Sequence, residues 1–249
     1  MRIIAFYSPK GGVGKTAAAV NVAYLASQDN RATLLWDLDP QGAASFYLAG
    51  AELVKGRKLS KLLEGKSPIS EFIHEDIYPG LDFIPAHNSF RNFDIKLEQE
   101  QGANVLKEML APLSEDTSLV ILDCPPTLSR LTEQVLDIAD QVYVPVVPTW
   151  LSLNSWNQLL EFVKSKKLGT KKLRPFFSMV DRRKNLHKEL VERGPELLGN
   201  PLGVAVPYAS VVERMGEEGL PLELLAPSSP AAEVYRKMWQ TIRKDLRSR

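Results

Sequence analysis

The sequence predicts an α/β protein, a doubly wound, mostly parallel twisted sheet with helices on both faces. Three observations point there. Short apolar runs alternate with longer helix-like stretches along the chain. Several of those runs are apolar on both faces, as strands buried inside a parallel sheet are. The first run feeds a glycine-rich turn that opens a helix-like stretch.

Strands are expected at residues 2–7, 32–37, 81–85, 119–123, 141–147, 175–180 and 203–206, and helices at 16–28, 102–113, 129–138, 153–166, 188–198 and 231–247. The fourth strand is four apolar residues closed by an acid, Leu119 to Asp123. Between 49 and 79 the chain is broken by Gly50, Gly56, Gly65 and Pro68 and reads as short helix and loop. The last helix sets Tyr235, Met238, Trp239, Ile242 and Leu246 at helical spacing, with Arg236, Lys237, Arg243 and Lys244 on its polar side. Such a stripe either packs on the sheet or lies on anionic lipid.

Composition narrows the class. A chain of 249 residues with 44% hydrophobic residues is expected to form one domain, 1–249. With 31 basic and 30 acidic residues its net charge is +1, which excludes a protein basic everywhere but not a local patch. Cys124 is the single cysteine, so an internal disulfide and a multi-thiolate zinc site are excluded, and an iron–sulfur site needing two cysteines per subunit is disfavoured. No apolar run approaches the ~20 residues of a membrane span, and the N-terminus enters the glycine-rich turn with no room for a secretory signal. A cytoplasmic protein is expected.

The strongest motif is Ser8-Pro9-Lys10-Gly11-Gly12-Val13-Gly14-Lys15-Thr16, placed after a strand and opening a helix. Glycines let the backbone curl so that successive N–H groups face a phosphate, and the helix N-terminus adds partial positive charge. Lys15 would reach the β- and γ-phosphates and the Thr16 hydroxyl a Mg²⁺ ion. A plain glycine-rich turn is the alternative. Pro9 stands where the usual motif has its first glycine, and an additional lysine, Lys10, follows it.

With Lys10 to Thr16 reading K-G-G-x-G-K-T, the sequence resembles the ParA/MinD family of deviant Walker ATPases, P-loop NTPases. The resemblance implies that Lys10 crosses the face of an ATP-sandwiched dimer to the partner's nucleotide, with Lys10, Lys15 and Asp39 as catalytic residues. It implies nucleotide contacts from Lys10, Gly11, Gly12, Val13, Gly14, Lys15, Thr16 and Ala17, with Pro207 added near the last strand. Asp37-Leu38-Asp39-Pro40-Gln41-Gly42 is similar to the family's first switch. Its two carboxylates, spaced i, i+2 on an extended segment, point the same way. The resemblance makes Asp39 the group that orients or deprotonates water and puts Asp37 near the metal shell. Asp123, before Cys124-Pro125-Pro126, is similar to a Walker B acid, so Thr16, Asp37 and Asp123 are the metal candidates. Because strand one starts at residue 2, an N-terminal DNA-binding extension is not expected.

The family implies ATP and Mg²⁺ as cofactors, a homodimer in the ATP state, non-specific DNA as partner and a ParB-like or other adaptor that releases the complex. The protein would be nucleoid-associated, without stable membrane insertion. Candidate DNA contacts lie in the basic stretch from 164 to 184 and near the C-terminus. They are Lys164, Lys166, Lys167, Lys171, Lys172, Arg182, Arg183, Lys184, Arg214, Arg243 and Lys244. A solvated surface explains the same charges. The arginines that many chromosome-partition relatives carry after a proline near the last strand are missing from 206–212. The alternatives are a MinD-like membrane module using the last helix and a dethiobiotin-synthetase-like metabolic ligase.

Overall fold

The computed structural model describes residues 1–49, 60–63, 66–87, 97 and 104–247. Its strands are β1 (Arg2–Phe6), β2 (Thr33–Asp37), β3 (His74–Tyr78), β4 (Leu81–Ile84), β5 (Leu119–Asp123), β6 (Gln141–Val146), β7 (Leu173–Val180) and β8 (Ala205–Pro207). They form one sheet in the order β3-β4-β2-β5-β1-β6-β7-β8, parallel throughout except for β3 against β4. The helices are α1 (Lys15–Gln28), α2 (Ala43–Ala49), α3 (Ser60–Leu63), α4 (Val105–Leu110), α5 (Arg130–Ile138) and α6 (Trp150–Ser165). After β7 come α7 (Asn185–Glu192), α8 (Gly194–Leu198), α9 (Ser210–Glu213), α10 (Met215–Glu218), α11 (Leu222–Leu225) and α12 (Pro230–Arg247).

The two-residue period of the strands divides the core into two halves. In β1, Ile4 and Phe6 join one buried cluster while Ala5 and the following Tyr7 join the other; in β5, Leu119 and Ile121 oppose Val120 and Leu122 in the same way. Helices α1 and α12 cover the first face, α5 and α6 the second. Burying such a side chain fully contributes about 1.5–3 kcal/mol, so these central strands fix the sheet.

All seven expected strands are present, each within two residues of its expected bounds. The eighth, β3, corrects the reading of 49–79 as helix and loop, although residues 50–59 and 64–65 of that stretch lie outside the described residues. His74-Glu75-Asp76-Ile77-Tyr78 lacks an apolar period because it is an edge strand: its register shifts between His74 and Tyr78, and Asp76 takes a positive φ of 49°. The helix expected at 188–198 is two helices, since Gly194-Pro195 interrupts the ladder. Of the helix expected at 102–113, residues 102 and 103 lie outside the described residues; the rest starts after an Asn104 cap and tightens into a 3₁₀ turn, Ala111–Ser114, at Pro112. Helix α6 begins three residues early, at Trp150, because Thr149 caps it.

The stripe of the last helix is core. Tyr235, Met238, Trp239, Ile242 and Leu246 are each no more than 6% exposed, packed with α1 and β8. This removes the apolar face on which the membrane alternative depended. Among the described residues no helix is long and apolar enough to cross a membrane.

Candidate nucleotide-binding site

The carboxyl ends of the central strands converge on one cleft, as they do in open α/β sheets. The loop from β1 to α1 forms its floor, β2 and β5 end beside it in Asp37 and Asp123, and the end of β7 with β8 and the segment after it form the facing wall. The cavity measures about 400 Å³ and is lined by Gly11 to Ala17, Asp39, Ser178, Met179, Pro207 and Tyr208 among others.

Gly12 and Gly14 adopt φ values of +67° and +89°, backbone that L side chains rarely take and that turns successive N–H groups to one concave side. A Cβ on Gly14 would stand 2.8 Å from the Ser178 Oγ, so the loop and β7 meet too closely for another residue. Gly14 is the N-cap of α1 and supplies no capping side chain. The first amides of the helix are therefore left for an anion.

Lys15 is buried, and its Nζ donates to the Lys10 carbonyl at 3.2 Å. Burial holds its pKa below the usual lysine value, against the pull of Asp123 and Asp39. The Asp39 Oδ1 accepts from Gln41 N at 2.9 Å, and the side chain lines the cavity. Asp37, expected near the metal, has both oxygens taken by its own chain. Its Oδ2 accepts from the Ser45 N and Oγ, each at 2.9 Å, and its Oδ1 accepts from Asp39 N at 3.1 Å. Burial still pushes it up to about 6. Asp37 thus braces the loop that presents Asp39.

Asp123 differs. It is fully buried, and its carboxylate finds no hydrogen-bond partner beyond the Thr16 hydroxyl beside it. Burial, then Asp37, raises its pKa well above the carboxylate range, while the nearby Thr16 hydroxyl and Lys15 ammonium pull the other way. A buried carboxylate met only by one hydroxyl fits a hard cation with oxygen ligands. Among the described residues no three His, Cys, Asp or Glu side chains form a metal cage. Magnesium suits this sparse set, because it keeps waters and takes phosphate oxygens. Cys124 is buried, and burial raises its thiol pKa strongly, so it is no nucleophile.

The sequence reading did not include most of the facing wall. Ser178 and Met179 close β7, Met179 at a φ of +56°, and Tyr208 and Val212 follow Pro207. With Val206 and Tyr235 they line a largely apolar side of the cavity beside the phosphate loop, of a kind that can take a planar ring. Of this wall the sequence marked only Pro207 as a nucleotide contact.

Lys10 lies outside this cavity. Its Nζ turns the other way and donates to the Ser152 Oγ at 3.0 Å. The same end of the sheet, after β5 and β6, exposes Leu128, Trp150 and Leu151, at 49%, 54% and 67%.

The structure divides the basic candidates. Lys164, Lys166, Lys167, Lys171 and Lys172 precede β7, whereas Arg182, Arg183 and Lys184 follow it, about 23 Å away at roughly 3.3 Å per residue. Several carry charge already matched within the chain. Lys166 pairs with Glu133, Arg183 with Asp181, Arg214 with Glu218 and Arg243 with Asp29; the Lys172 Nζ donates to the Asp137 carbonyl. Lys164, Lys167, Lys171, Arg182, Lys184 and Lys244 are exposed and make no such pair among the described residues.

A phosphate nest at a helix start, a strand-end acid and a largely apolar cavity wall on a parallel sheet define a P-loop nucleoside-triphosphatase. Residues 1–174 match the AAA_31 family model, an AAA domain. Over 248 residues the chain is 31% identical to the chromosome-partitioning ATPase Soj of Treponema pallidum (strain Nichols), covering 97% of this chain and 96% of that one. The chain belongs to the ParA/MinD family of P-loop ATPases. Its fold matches apo McdA of Cyanothece at a TM-score of 0.83 and 23% identity, over 97% and 99% of the two chains. Cobyrinic acid a,c-diamide synthase of Mycobacterium smegmatis, with bound ATP analogue and magnesium, matches at 0.82 and 26% identity, over 100% and 96%. The chain is an ATPase of the partition or positioning kind, working with ATP and Mg²⁺.

Proposed function

We propose that this ATPase acts as one domain whose two copies close over ATP, bind DNA non-specifically as a dimer and let go when a ParB-like or other adaptor stimulates hydrolysis. It would thereby position a plasmid, chromosome or protein cargo on the nucleoid in the cytoplasm. The observation that carries this reading is Lys10: a lysine of the phosphate loop that does not line its own nucleotide cavity. Its cation can offset phosphate charge only on a facing copy, which couples nucleotide state to dimerisation. Exposed Leu128, Trp150 and Leu151 on the same end supply apolar surface for that copy to cover.

Within one site, Lys15 and the loop amides hold the β- and γ-phosphates, and Asp39 holds the attacking water in line or takes its proton. Thr16 and Asp123 would hold magnesium, with Asp37 supporting the Asp39 loop. Bound magnesium offsets charge between the phosphate oxygens. The pocket walls, Pro207 included, exclude water from the base.

Dimer-gated DNA binding needs cations that closure brings into one footprint, since each phosphate contact is weak alone and salt-sensitive. That favours the nucleotide end, where Arg182 and Lys184 make no ion pair among the described residues and Arg183, paired with Asp181, lies between them. The cations before β7 and at the end of α12 lie at the opposite end of the sheet from the nucleotide cavity.

The test is retention on DNA with ATP, ADP or no nucleotide across a salt series, beside co-sedimentation with anionic liposomes. Retention with ATP alone, falling steeply with salt and lowered in Arg182→Ala/Lys184→Ala, is expected. Equal retention without nucleotide, or retention on liposomes alone, overturns the proposal.

A further inference from the structure

We propose that Ser152 is a positioning residue that parks the Lys10 ammonium on its own subunit until a second copy presents a triphosphate. The inference rests on the dimer reading above and adds the alternative state from which Lys10 must be drawn.

The parking is specific in geometry. The Lys10 Nζ donates to the Ser152 Oγ at 3.0 Å, and the Ser152 hydroxyl is itself fixed by the Thr149 Oγ1 at 3.0 Å. Thr149 caps α6, its carbonyl and hydroxyl accepting the Ser152 N–H at 3.0 and 3.3 Å. Ser152 is only 4% exposed, so this oxygen is held rigidly beside the phosphate loop. Lys10 and Ser152 line one narrow crevice together with Ser8, Pro9, Val144, Val146 and Trp156.

The parking is also weak by construction. Among the described residues no carboxylate pairs with Lys10, and its partner is one neutral hydroxyl. That hydroxyl sits at the amino end of a 16-residue helix, where the backbone dipoles disfavour a cation. A hydrogen bond of this kind contributes little net stability, whereas a bond from the ammonium to a phosphate is charge-assisted. Lys10 therefore has two positions of unequal strength, and only a triphosphate on a facing copy selects the second. Trp150 and Leu151 are exposed in the first turn of α6, immediately before Ser152, so a copy that covers that turn comes up beside the parked ammonium.

Two measurements on the full chain test this. In nucleotide-free protein, acetylation of the Lys10 amine by an N-hydroxysuccinimide ester is followed by peptide mass spectrometry, with exposed Lys164 as reference. Ser152→Ala is expected to raise the Lys10 rate about two- to tenfold, the factor that one net hydrogen bond represents. With a slowly hydrolysed ATP analogue and magnesium, the concentration for half-dimerisation, read by light scattering, is expected to fall at least as much. Nucleotide affinity of the monomer should not change. Ser152→Asp, which gives the ammonium a charged partner, is expected to slow acetylation and raise that concentration.

An unchanged Lys10 acetylation rate in Ser152→Ala overturns the parking. So does weaker dimerisation of that variant, which would make Ser152 a contact of the closed dimer instead. If acetylation responds as stated but no protein dimerises at any analogue concentration, the parking stands and the dimer reading fails.

Discussion

The Asp37 carboxylate and the Ser45 hydroxyl share a 2.9 Å hydrogen bond, and that hydroxyl in turn accepts the Ala86 N–H at 2.8 Å. One buried oxygen thus ties the end of β2, the start of α2 and the segment after β4. Ser45→Ala leaves the Ala86 N–H without a partner and takes one donor from a buried carboxylate. A loss of about 1–3 kcal/mol in folding stability is expected, read as a lower urea midpoint at unchanged slope. A change under about 0.5 kcal/mol would mean that the bridge does not brace the loop.

Close approach at Gly14 gives a second prediction that separates two causes. Gly14→Ala faces both the Ser178 Oγ and a φ of +89°. Adding Ser178→Ala removes the contact but not the backbone strain, which costs roughly 1–2 kcal/mol. The single variant is expected to lose nucleotide binding, and the double variant to regain stability only in part, as measured by thermal unfolding with and without ADP. Full recovery would show that conformation at this position is unimportant.

Much of the site was legible because its signals are local. The loop from Lys10 to Thr16 is contiguous, and Asp123 ends a strand whose neighbours are all apolar. The facing wall was not legible, because Ser178, Met179 and Tyr208 meet the loop only through the sheet order β1-β6-β7-β8, a long-range property. Charge misled for a related reason. Lys164 and Lys184 look adjacent in a basic run, but an eight-residue strand carries the chain from one end of the sheet to the other between them. The edge strand β3 escaped because an edge has no second neighbour to demand alternating apolar residues.

Lys15 and Asp39 should separate binding from chemistry. Lys15→Ala removes the buried ammonium from the cavity and is expected to abolish ATP binding by calorimetry. Asp39→Ala is expected to bind ATP within a few-fold of the parent while hydrolysis slows by about 10²-fold or more, the usual contribution of a positioned base. Hydrolysis at the parent rate would remove Asp39 from its role.

His187 provides a pH-dependent contact. Its Nδ1 accepts the Asp181 N–H at 3.0 Å, just past the strand end that carries Met179 into the cavity wall. Burial, then the Lys184 charge, holds its pKa below 6.5, with Asp181 opposing. A depressed pKa means that the unfolded chain takes the proton first. The contribution is therefore present above pH 6.5 and lost as pH falls through the folded-state value. His187→Asn keeps an acceptor but does not titrate. Between pH 7.5 and 5 the parent is expected to lose about 0.5–1.5 kcal/mol more stability than this variant; parallel pH profiles would show that the bond carries no linkage.

Asp123→Asn tests the buried carboxylate. In the parent, magnesium is expected to raise the melting-temperature shift produced by ADP, because a ligand that binds only the folded state stabilises it by an amount that grows with its affinity. The variant keeps Lys15 and the loop amides, so the shift with ADP alone should persist. It lacks the negative charge that faces Thr16, so the increment from magnesium should be lost; each tenfold drop in affinity removes about 1.4 kcal/mol. Stability without nucleotide is expected to fall by no more than about 1–3 kcal/mol, the cost of leaving one buried polar group poorly matched. If magnesium still adds its full increment, the cation is held by Thr16, phosphate and water alone, and Asp123 needs another explanation for lying buried beside a single hydroxyl.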